Sequence, residues 1–378
     1  MSRQTRAQRF AEMSEEERER VYRLYLFERR NNKEYWGKRA AEKVRFFDEE
    51  ADKIVAELSR AYTEAELTFK EAVAKVFAGF SGGFGLSQAK AKELIKNAGN
   101  KAPSKALIQM ANRIAEPEKR QEALAVLSAP AYKWRIDRLD KLALQAEKLC
   151  EGLNAFQLQA DTAFLSEQMI KAYNYTFFDL QQGGGLIGAF NVLPESRIEQ
   201  VLKTKWLGKH FSKRIWDNTH DLADELRQAL LNSFMTGEST QKAVGRIAER
   251  FNTGRYEAER LIRTEHTYVC GQAELESYKS ANITHYEYAA LIDDRTSLIC
   301  EGLDNKIFPV AKAKPGVNYP PMHAFCRSST IAVLPSEEEL EKSWKQFNAE
   351  FVPQGMNFEE WVERLEPTKD GKLVFKAA

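Results

Sequence analysis

The sequence has little of what marks secreted, membrane-spanning or broadly nucleic-acid-binding proteins. Four cysteines in 378 residues are too few for a disulfide framework, and no apolar run approaches the ~20 residues that cross a bilayer. The first twenty residues lack the apolar core of a signal peptide. Lys and Arg number 56 against 55 Asp and Glu, so nucleic-acid contact would need a local basic patch. We therefore expect synthesis in a reducing, intracellular environment.

Helical patterning dominates the first half of the chain. At 378 residues the chain exceeds the size of a single hydrophobic core, so two or three domains are expected. Long helical patterns cover residues 32–78 and 132–180. Gly183–Gly185 and Pro194 form the clearest hinge, and we predict the main domain boundary there. The other expected helix starts and breaks are Ser14, Ser87, Pro103, Pro117 and Pro130.

The second half continues with shorter helices. Ser196 is predicted to cap one of them. An amphipathic helix follows over residues 218–235, with Leu222, Leu226 and Leu230 spaced four apart on one face. Ser239 or Thr240 opens the next helix, and Asn252-Thr253 is predicted to separate it from a longer one.

The pattern changes near residue 284. Residues 284–292 are aromatic and β-branched enough to form a strand, and residues 306–308 and 330–334 are further short strands. Asp293-Asp294 is a turn signal. The tail after Pro335 carries one charged helix. The predicted fold class is mainly α with a small α+β C-terminal module and an elongated helical N-terminal region, divided into residues 1–190, 191–335 and 336–378.

The segment from Leu291 to Ser329 concentrates the chemically distinctive residues. It contains Cys300, the sole His-x-x-Cys pair, formed by His323 and Cys326, and the Pro320-Pro321 pair. With the helix before it, it resembles the Mu F-like head morphogenesis proteins, minor head proteins of tailed bacteriophages, and most of all those of phages and prophages of Gram-positive bacteria. The resemblance covers roughly residues 196–335. Besides Cys300, His323 and Cys326, its motif residues are Arg263, Thr264, Glu265, Asp294, Arg295, Thr296, Leu303, Asp304, Pro320, Pro321, Arg327 and Ser328.

Three positions depart from the family pattern. Asn305 stands where the family usually has Gly, and both residues tolerate the left-handed conformation of a tight turn. Ala324 stands where Pro is frequent, and Ser297 stands where many members carry a Cys. The turn is expected to survive the first change.

The resemblance implies a structural role. It implies a minor capsid protein that associates with the portal vertex, the scaffold or the major capsid protein, assists head assembly and handles packaged DNA. Residues 1–190 would dock to portal or capsid, and residues 191–335 would be the Mu F-like domain. The protein would act in the phage head, as virion or procapsid, after synthesis in the cytoplasm of the bacterial host. No enzymatic activity and no membrane contact are expected.

Cys300, His323 and Cys326 allow two interpretations. Two thiolates and an imidazole are suitable zinc ligands. A closed site needs a fourth donor, and Ser297 is a poor one, so His285 or an Asp of the 293–294 pair would have to supply it. The simpler interpretation is packing within a small, loop-rich fold, with no cofactor. Cys150 and Cys270 lie within helical patterns and are predicted to be buried thiols.

The charged motif residues also allow two interpretations. Glu265 or Asp294 is expected to accept bidentate bonds from Arg295 or Arg327, which would lock a helix to a loop. The alternative is a catalytic acid beside an anion-binding arginine. The phosphate-binding loop, the zinc deaminase signature and the Gly-x-Ser-x-Gly elbow are all missing. The remaining enzyme alternative is a metal-dependent nuclease that uses the Cys/His loop.

A local basic patch is the candidate for DNA contact. Two aromatic residues, Trp206 and Phe211, are interleaved with its cations, which are Lys203, Lys205, Lys209, Lys213 and Arg214. Such a patch would bind double-stranded DNA without sequence preference through its phosphates. The alternative is a solvated helix face whose aromatic side chains point into the core.

Overall fold

A computed structural model describes Ser14, residues 32–77, 103–186, 188–236, 239–336, Glu338, residues 352–353 and residues 355–376. Within these residues the protein is mostly helical, with small antiparallel sheets near the C-terminus, which confirms the predicted fold class. The helix predicted from Ser87, the rest of the capping box and helix that follow Ser14, and most of the helix after Pro335 lie outside the described residues. No helix of the described residues is long and apolar enough to cross a membrane.

Long helices form the N-terminal half. Helix α1 spans Lys33–Phe77, close to the predicted range, α2 spans Lys105–Asn112 and α3 spans Pro117–Gln182. Pro117 occupies the first position of α3, where its missing N–H is not needed. The predicted break at Pro130 is wrong, because α3 continues through it. One proline costs about 3 kcal/mol, and the alanine- and leucine-rich sequence around it favours helix.

The glycines after α3 end the helix as predicted. Gly185 has φ of 68°, and the N–H groups of Gly185 and Leu186 bond back to the carbonyls of Gln181 and Leu180 at 3.1 and 3.0 Å. This is the left-handed helix end that glycine allows without steric cost. The chain leaves the helix there.

Three further helices follow, and two predictions about them are wrong. Helix α4 spans Glu195–Leu202 and is preceded by Pro194, so Ser196 lies inside its first turn and does not cap it. Helix α5 spans Phe211–Thr236, and helix α6 spans Thr240–Ser280 without the break predicted at Asn252-Thr253. The Thr253 hydroxyl bonds to the carbonyl of Glu249 at 3.2 Å. Its polar group is thereby satisfied without leaving the helix.

A three-stranded antiparallel sheet follows α6 and confirms the three predicted strands. Its order is β2-β1-β3, with β1 at His285–Ala289, β2 at Ile307–Pro309 and β3 at Ser329–Val333. Tyr286 and Tyr288 of β1 are fully buried on one face. The short helix α7, Leu298–Leu303, lies between β1 and β2. Asn305 has φ of 61°, so it takes the left-handed turn expected of it.

The chain forms two compact units that are each discontinuous in sequence. Unit 1 comprises residues 1–54, 161–211 and 260–378, and unit 2 comprises residues 55–160 and 212–259. The boundaries predicted near residues 190 and 335 stay a prediction about domains. The Cys/His segment and the three-stranded sheet belong to unit 1.

The core of unit 1 includes the C-terminal residues 355–376. Helix α8, Phe358–Glu363, precedes a hairpin of β4, Leu365–Pro367, and β5, Leu373–Phe375. Trp361 is fully buried and stacks on Phe190 with ring centroids 5.8 Å apart. Phe190 stacks in turn on Phe177 at 4.1 Å. A region that resembled only a charged tail in sequence therefore supplies core residues.

Unit 2 has a helical core of its own. Leu222, Leu226 and Leu230 are buried, as their spacing predicted. Gly254 allows close approach, since a Cβ there would lie 3.1 Å from both Tyr62 and Leu222.

Candidate functional site

The Cys/His residues are brought together by two short segments that flank the sheet. Cys300 lies on α7, whose first turn is capped by Ser297: the Cys300 N–H donates to its Oγ at 3.2 Å. His323 and Cys326 lie on the segment that leads into β3. Because β3 pairs with β1, and α7 follows β1 by a short turn, the sheet places both segments at the same end.

The three side chains form a cluster, which we call the Cys/His cluster. The Sγ of Cys300 lies 3.3 Å from Nε2 of His323 and 3.8 Å from the Sγ of Cys326. All three donor atoms lie within 4.8 Å of one another. The structure therefore brings together the residues that the sequence nominated as metal ligands.

Hydrogen bonds fix the orientation of the His323 ring. Its Nδ1 lies 2.7 Å from the carbonyl oxygen of Ala324, which can only accept, so Nδ1 carries the proton. Nε2 then presents its lone pair toward the cluster, where the Ser297 hydroxyl is 2.8 Å away. This is the tautomer that a metal-binding imidazole requires.

The sulfur atoms are buried and electronically distinct. Cys300 is 3% exposed and Cys326 is 2% exposed. The hydrogen bond from Cys326 lowers the pKa of the Cys300 thiol, and the hydroxyls of Ser297, Ser328 and Tyr288 add to this effect. The same bond raises the pKa of Cys326. Of the two thiols, Cys300 is thus the one that loses its proton more readily.

The residues that the sequence suggested as a fourth metal ligand do not lie at the Cys/His cluster. His285 pairs with the Thr284 hydroxyl at 3.0 Å, and Asp293 is engaged by Arg327. Among the described residues, neither joins the three-residue group that could hold an ion. The expectation that one of them completes the site is wrong, because each is held by a partner at another place on the sheet or turn.

The predicted arginine lock exists with a different acid. Arg327 makes bidentate bonds of 2.7 and 2.6 Å to the two carboxylate oxygens of Asp293, not to Asp294 or Glu265. This interaction keeps the pKa of Asp293 well below its usual range. The side chain of Arg295 is 73% exposed and reaches Asp293 only at 4.0 Å. The turn places Asp293 toward Arg327 because its backbone is fixed by Thr296.

Other motif residues hold the same turn or tie α6 to neighbours in unit 1. The Thr296 hydroxyl donates to the carbonyl of Leu291 at 2.7 Å, and Asp304 accepts from the N–H of Ala290 at 2.8 Å. Of the remaining charged residues, Arg263 donates a hydrogen bond to Asp52 at 2.5 Å. Glu265 accepts one from the Trp206 indole N–H at 2.8 Å. Leu303 packs on the Cys/His cluster, Pro320, Pro321 and Ser328 are buried, and the Pro320-Pro321 peptide is cis.

The basic patch divides between the two units, and its aromatics are packed. In unit 1, Trp206 stacks on Tyr268 with centroids 4.5 Å apart, and Phe211 is buried. Lys203, Lys205 and Lys209 are exposed there. In unit 2, Lys213 pairs with Asp217 at 2.9 Å, and Arg214 is partly buried. Phe211 is therefore a core residue and is not available to stack on bases, whereas Trp206 is partly buried against Tyr268.

Sequence reasoning missed a buried polar network in unit 1. Lys43 of α1 pairs with Glu274 of α6, whose other oxygen accepts from Tyr319 at 2.8 Å and from Thr330 at 2.5 Å. Lys43 also donates to the carbonyl of Thr330 at 3.0 Å. We call these four residues the Lys43 network. Each residue is ordinary in its own sequence context, so only the tertiary structure reveals the set.

A cavity of about 70 Å³ lies beside this network. Its lining includes Lys43 and Glu274 on one side, Cys326 on another, and His266. His266 is fully buried, its Nε2 has no hydrogen-bond partner among the described residues, and burial lowers its pKa to about 3. Residues of the Lys43 network and Cys326 of the Cys/His cluster thus line the same cavity.

A comparison with known protein families identifies the region of the chain that contains the Cys/His cluster. Residues 224–331 match the family model described as Phage Mu protein F like protein. No curated protein and no solved structure matches the chain. The matched residues include the sheet, α7 and the cluster, and an origin from phages of Gram-positive bacteria stays a prediction. Residues 224–331 are therefore similar to the phage Mu F-like proteins, and this similarity supports a role in phage head morphogenesis.

Proposed function

We propose that the protein is a minor capsid component that binds at the portal vertex and helps the head to assemble. The Mu F-like match over residues 224–331 carries this proposal. The internal contacts of the motif residues support it, because Arg327, Thr296 and Asp304 hold the turn between β1 and α7. The alternative of a metal-dependent nuclease is not favoured, since the family is one of head morphogenesis proteins. A plasmid-nicking assay with magnesium or zinc tests that alternative directly.

An exposed apolar surface on unit 1 supports binding to a protein partner. Leu298 is 85% exposed, Ile299 is 56% exposed and Ile292 is 57% exposed. All three lie in the matched segment, next to the turn that the motif residues hold. Burial of such side chains against a partner removes apolar surface from water and drives association. The partner that the family role implies is the portal protein.

A double substitution at the start of α7 tests this contact. Leu298→Glu with Ile299→Glu should abolish co-purification of the portal protein from cells in which the phage assembles. Folding should be retained, because acidic side chains are favourable in the first turn of a helix. Leu144→Glu, at a residue 54% exposed on α3, is the matched control.

Three results decide the matter. Loss of portal capture by the α7 variant, with capture retained by the control, supports the assignment. Full portal capture by a folded α7 variant removes this surface from the proposal. Failure of the wild-type chain to recover portal protein contradicts the portal role itself.

We also infer a direct, sequence-independent contact with packaged DNA. Lys203, Lys205 and Lys209 are exposed on unit 1, where phosphates can approach them, and the exposed pair of Lys203 with Glu199 at 2.7 Å would have to open or be shared. Trp206 lies against Tyr268. The contact would therefore be electrostatic, and its affinity would fall steeply with salt.

Fluorescence anisotropy on double-stranded DNA tests the inference. Changing these three lysines to Gln should weaken binding and reduce the slope of log affinity against log salt by up to ~3. The charge-matched control changes three other exposed lysines of unit 1, Lys306, Lys312 and Lys314. Equal loss in both variants would show a response to net charge and not to this patch.

A further inference from the structure

The Cys/His cluster has the donor chemistry of a soft divalent metal site. Two sulfurs and one imidazole nitrogen converge from α7 and from the segment before β3, and both sulfurs are buried. Zinc prefers this combination of sulfur and nitrogen ligands. The three donors are separated by up to 26 residues of sequence, so their convergence is a property of the fold.

Two of the three distances within the cluster are close to those of tetrahedral coordination, and the third, between Cys326 Sγ and His323 Nε2, is at most 4.8 Å. Two thiolates bound at ~2.3 Å to a tetrahedral ion lie ~3.8 Å apart, and a thiolate and an imidazole nitrogen lie ~3.6 Å apart. The observed Cys300–Cys326 sulfur separation is 3.8 Å, and the Cys300 sulfur lies 3.3 Å from His323 Nε2. An ion can therefore be accommodated with small side-chain adjustments.

The surroundings of the donors are those of metal ligands. The Ala324 carbonyl holds the proton of His323 on Nδ1, so Nε2 carries the lone pair that can coordinate once the Ser297 hydroxyl turns away from it. Tyr288 donates a hydrogen bond to the Cys300 sulfur at 3.3 Å, and backbone hydrogen bonds from Met322 and Ser328 reach Cys326. Such bonds stabilise thiolates over thiols. Outer hydrogen bonds of this kind typically change metal affinity 10–100-fold.

We propose that Cys300, His323 and Cys326 bind one zinc ion, with the fourth coordination position beside the Ser297 hydroxyl. The ion would join α7 to the segment that enters β3. Both sulfurs bind as thiolates, so the remaining thiol protons pass to solvent when the metal enters. This site is independent of the portal contact proposed above.

Cobalt titration of the full chain, purified under reducing conditions, tests the site. Cobalt should bind with a stoichiometry of one and give the visible absorption of tetrahedral coordination together with thiolate charge-transfer bands. Cys300→Ala, Cys326→Ala and His323→Ala should each weaken binding at least 10-fold. The matched controls are Cys150→Ala, at a buried cysteine of α3, and His285→Ala on β1. Zinc added in competition should displace the cobalt.

Ser297→Cys provides a gain of function that does not depend on damaging the fold. Its sulfur would take the place of a hydroxyl 2.8 Å from His323 Nε2 and complete a set of three Cys and one His. Zinc affinity should rise by at least 10-fold, and the charge-transfer bands should intensify. A Ser297→Ala variant should lack this gain.

Three outcomes would overturn the proposal. The first is a folded, reduced wild-type chain that binds neither cobalt nor zinc. The second is equal loss of binding in Cys150→Ala and Cys326→Ala. The third is a Cys300–Cys326 disulfide, detected by mass spectrometry, in protein isolated with thiols blocked at lysis, since that bond would remove both sulfur ligands.

Discussion

The Lys43 network and the Cys/His cluster are two polar centres of unit 1 that border the same cavity, yet they are built differently. In the Lys43 network, a buried cation faces a buried carboxylate, and hydroxyl donors from Tyr319 and Thr330 satisfy the second carboxylate oxygen. In the cluster, three groups with lone pairs face one another. In the Lys43 network, every charged group has its partner within the protein. In the Cys/His cluster, the three donor atoms point toward one common position.

This difference distinguishes a structural ion pair, the Lys43 network, from the metal site that we propose at the Cys/His cluster. A buried charge without a partner is expensive, so the Lys43 network has to be closed to exist at all. Electron-pair donors that converge are favourable only when a proton or a metal ion lies between them. In the metal-free chain, a hydrogen bond between the Cys300 and Cys326 sulfurs, 3.8 Å apart, fills that role. The predictions below test each half of this contrast.

The largest expected effect is on the Lys43 network. Lys43→Met leaves Glu274 buried without its cation and should lower the free energy of unfolding by about 3–5 kcal/mol. Urea denaturation followed by circular dichroism measures this. The double variant Lys43→Met with Glu274→Gln should recover part of the loss, because no buried charge then remains. A change of under about 1 kcal/mol in the single variant would contradict the view that the network is a structural fastener.

The second effect concerns the cluster and is about 3 kcal/mol. If free zinc is about 100 times its dissociation constant, chelation should lower the free energy of unfolding by about 2.7 kcal/mol. Cys326→Ala should show no response to the chelator, while Cys150→Ala should respond like wild type. An unchanged unfolding midpoint in wild type after chelation would mean that the cluster, like the Lys43 network, is a structural contact that binds no metal.

The third effect probes the cavity that both centres line. Burial lowers the pKa of His266 to about 3, with Arg263 and Lys171 adding to the shift and Glu50 opposing it. The unfolded chain takes up a proton near pH 6.5, and the folded chain does not until about pH 3. Stability should therefore fall as pH drops, by about 2 kcal/mol between pH 7 and pH 5.

His266→Phe isolates this contribution. The ring lies among Phe47 and Phe164, with centroids 5.9 and 5.0 Å away, so a phenyl group suits the site. The variant should lose about 2 kcal/mol less than wild type over the same pH interval. Glu50, whose pKa is lowered to about 2, affects stability only below about pH 4.5 and does not interfere. Parallel pH curves for variant and wild type would show that His266 is not the group responsible.

The smallest effect distinguishes two arginines of the turn beside the cluster. Arg327→Ala removes the bidentate bonds to Asp293 and should lower the melting temperature measurably. Arg295→Ala should leave it unchanged, because that side chain is largely exposed. Differential scanning calorimetry of both variants gives the comparison. The reverse ranking would restore the lock originally expected at Arg295.

Local patterns predicted much of the fold because each element carries its own signal. The leucine stripe of α5, the strands around Tyr286 and the glycines after α3 depend on neighbours within a few residues. The false breaks at Pro130 and Asn252-Thr253 arise from the same local reasoning. At Asn252-Thr253, the adjacent Gly254 lies close to Tyr62 and Leu222, which are distant in sequence and outside the reach of local patterns.

The candidate site was predictable to a similar extent. Cys300, His323 and Cys326 are rare residue types, so their proximity in sequence was noticeable before their geometry was known. The partner of Arg327 was not predictable, because Asp293 and Asp294 are adjacent and only the turn decides which one faces it. The Lys43 network left no signal, since lysine, glutamate, tyrosine and threonine are frequent in any helix-rich chain.

The distance along the chain between the members of the Lys43 network also determines when, during synthesis, the network can form. Lys43 and Thr330 are 287 residues apart. At about 5–20 residues per second, a ribosome needs roughly 15–60 s to make the chain between them. During that interval α1 exists without its strand, and Lys43 must stay in water. Unit 1 therefore cannot complete this network until Thr330 has been synthesised.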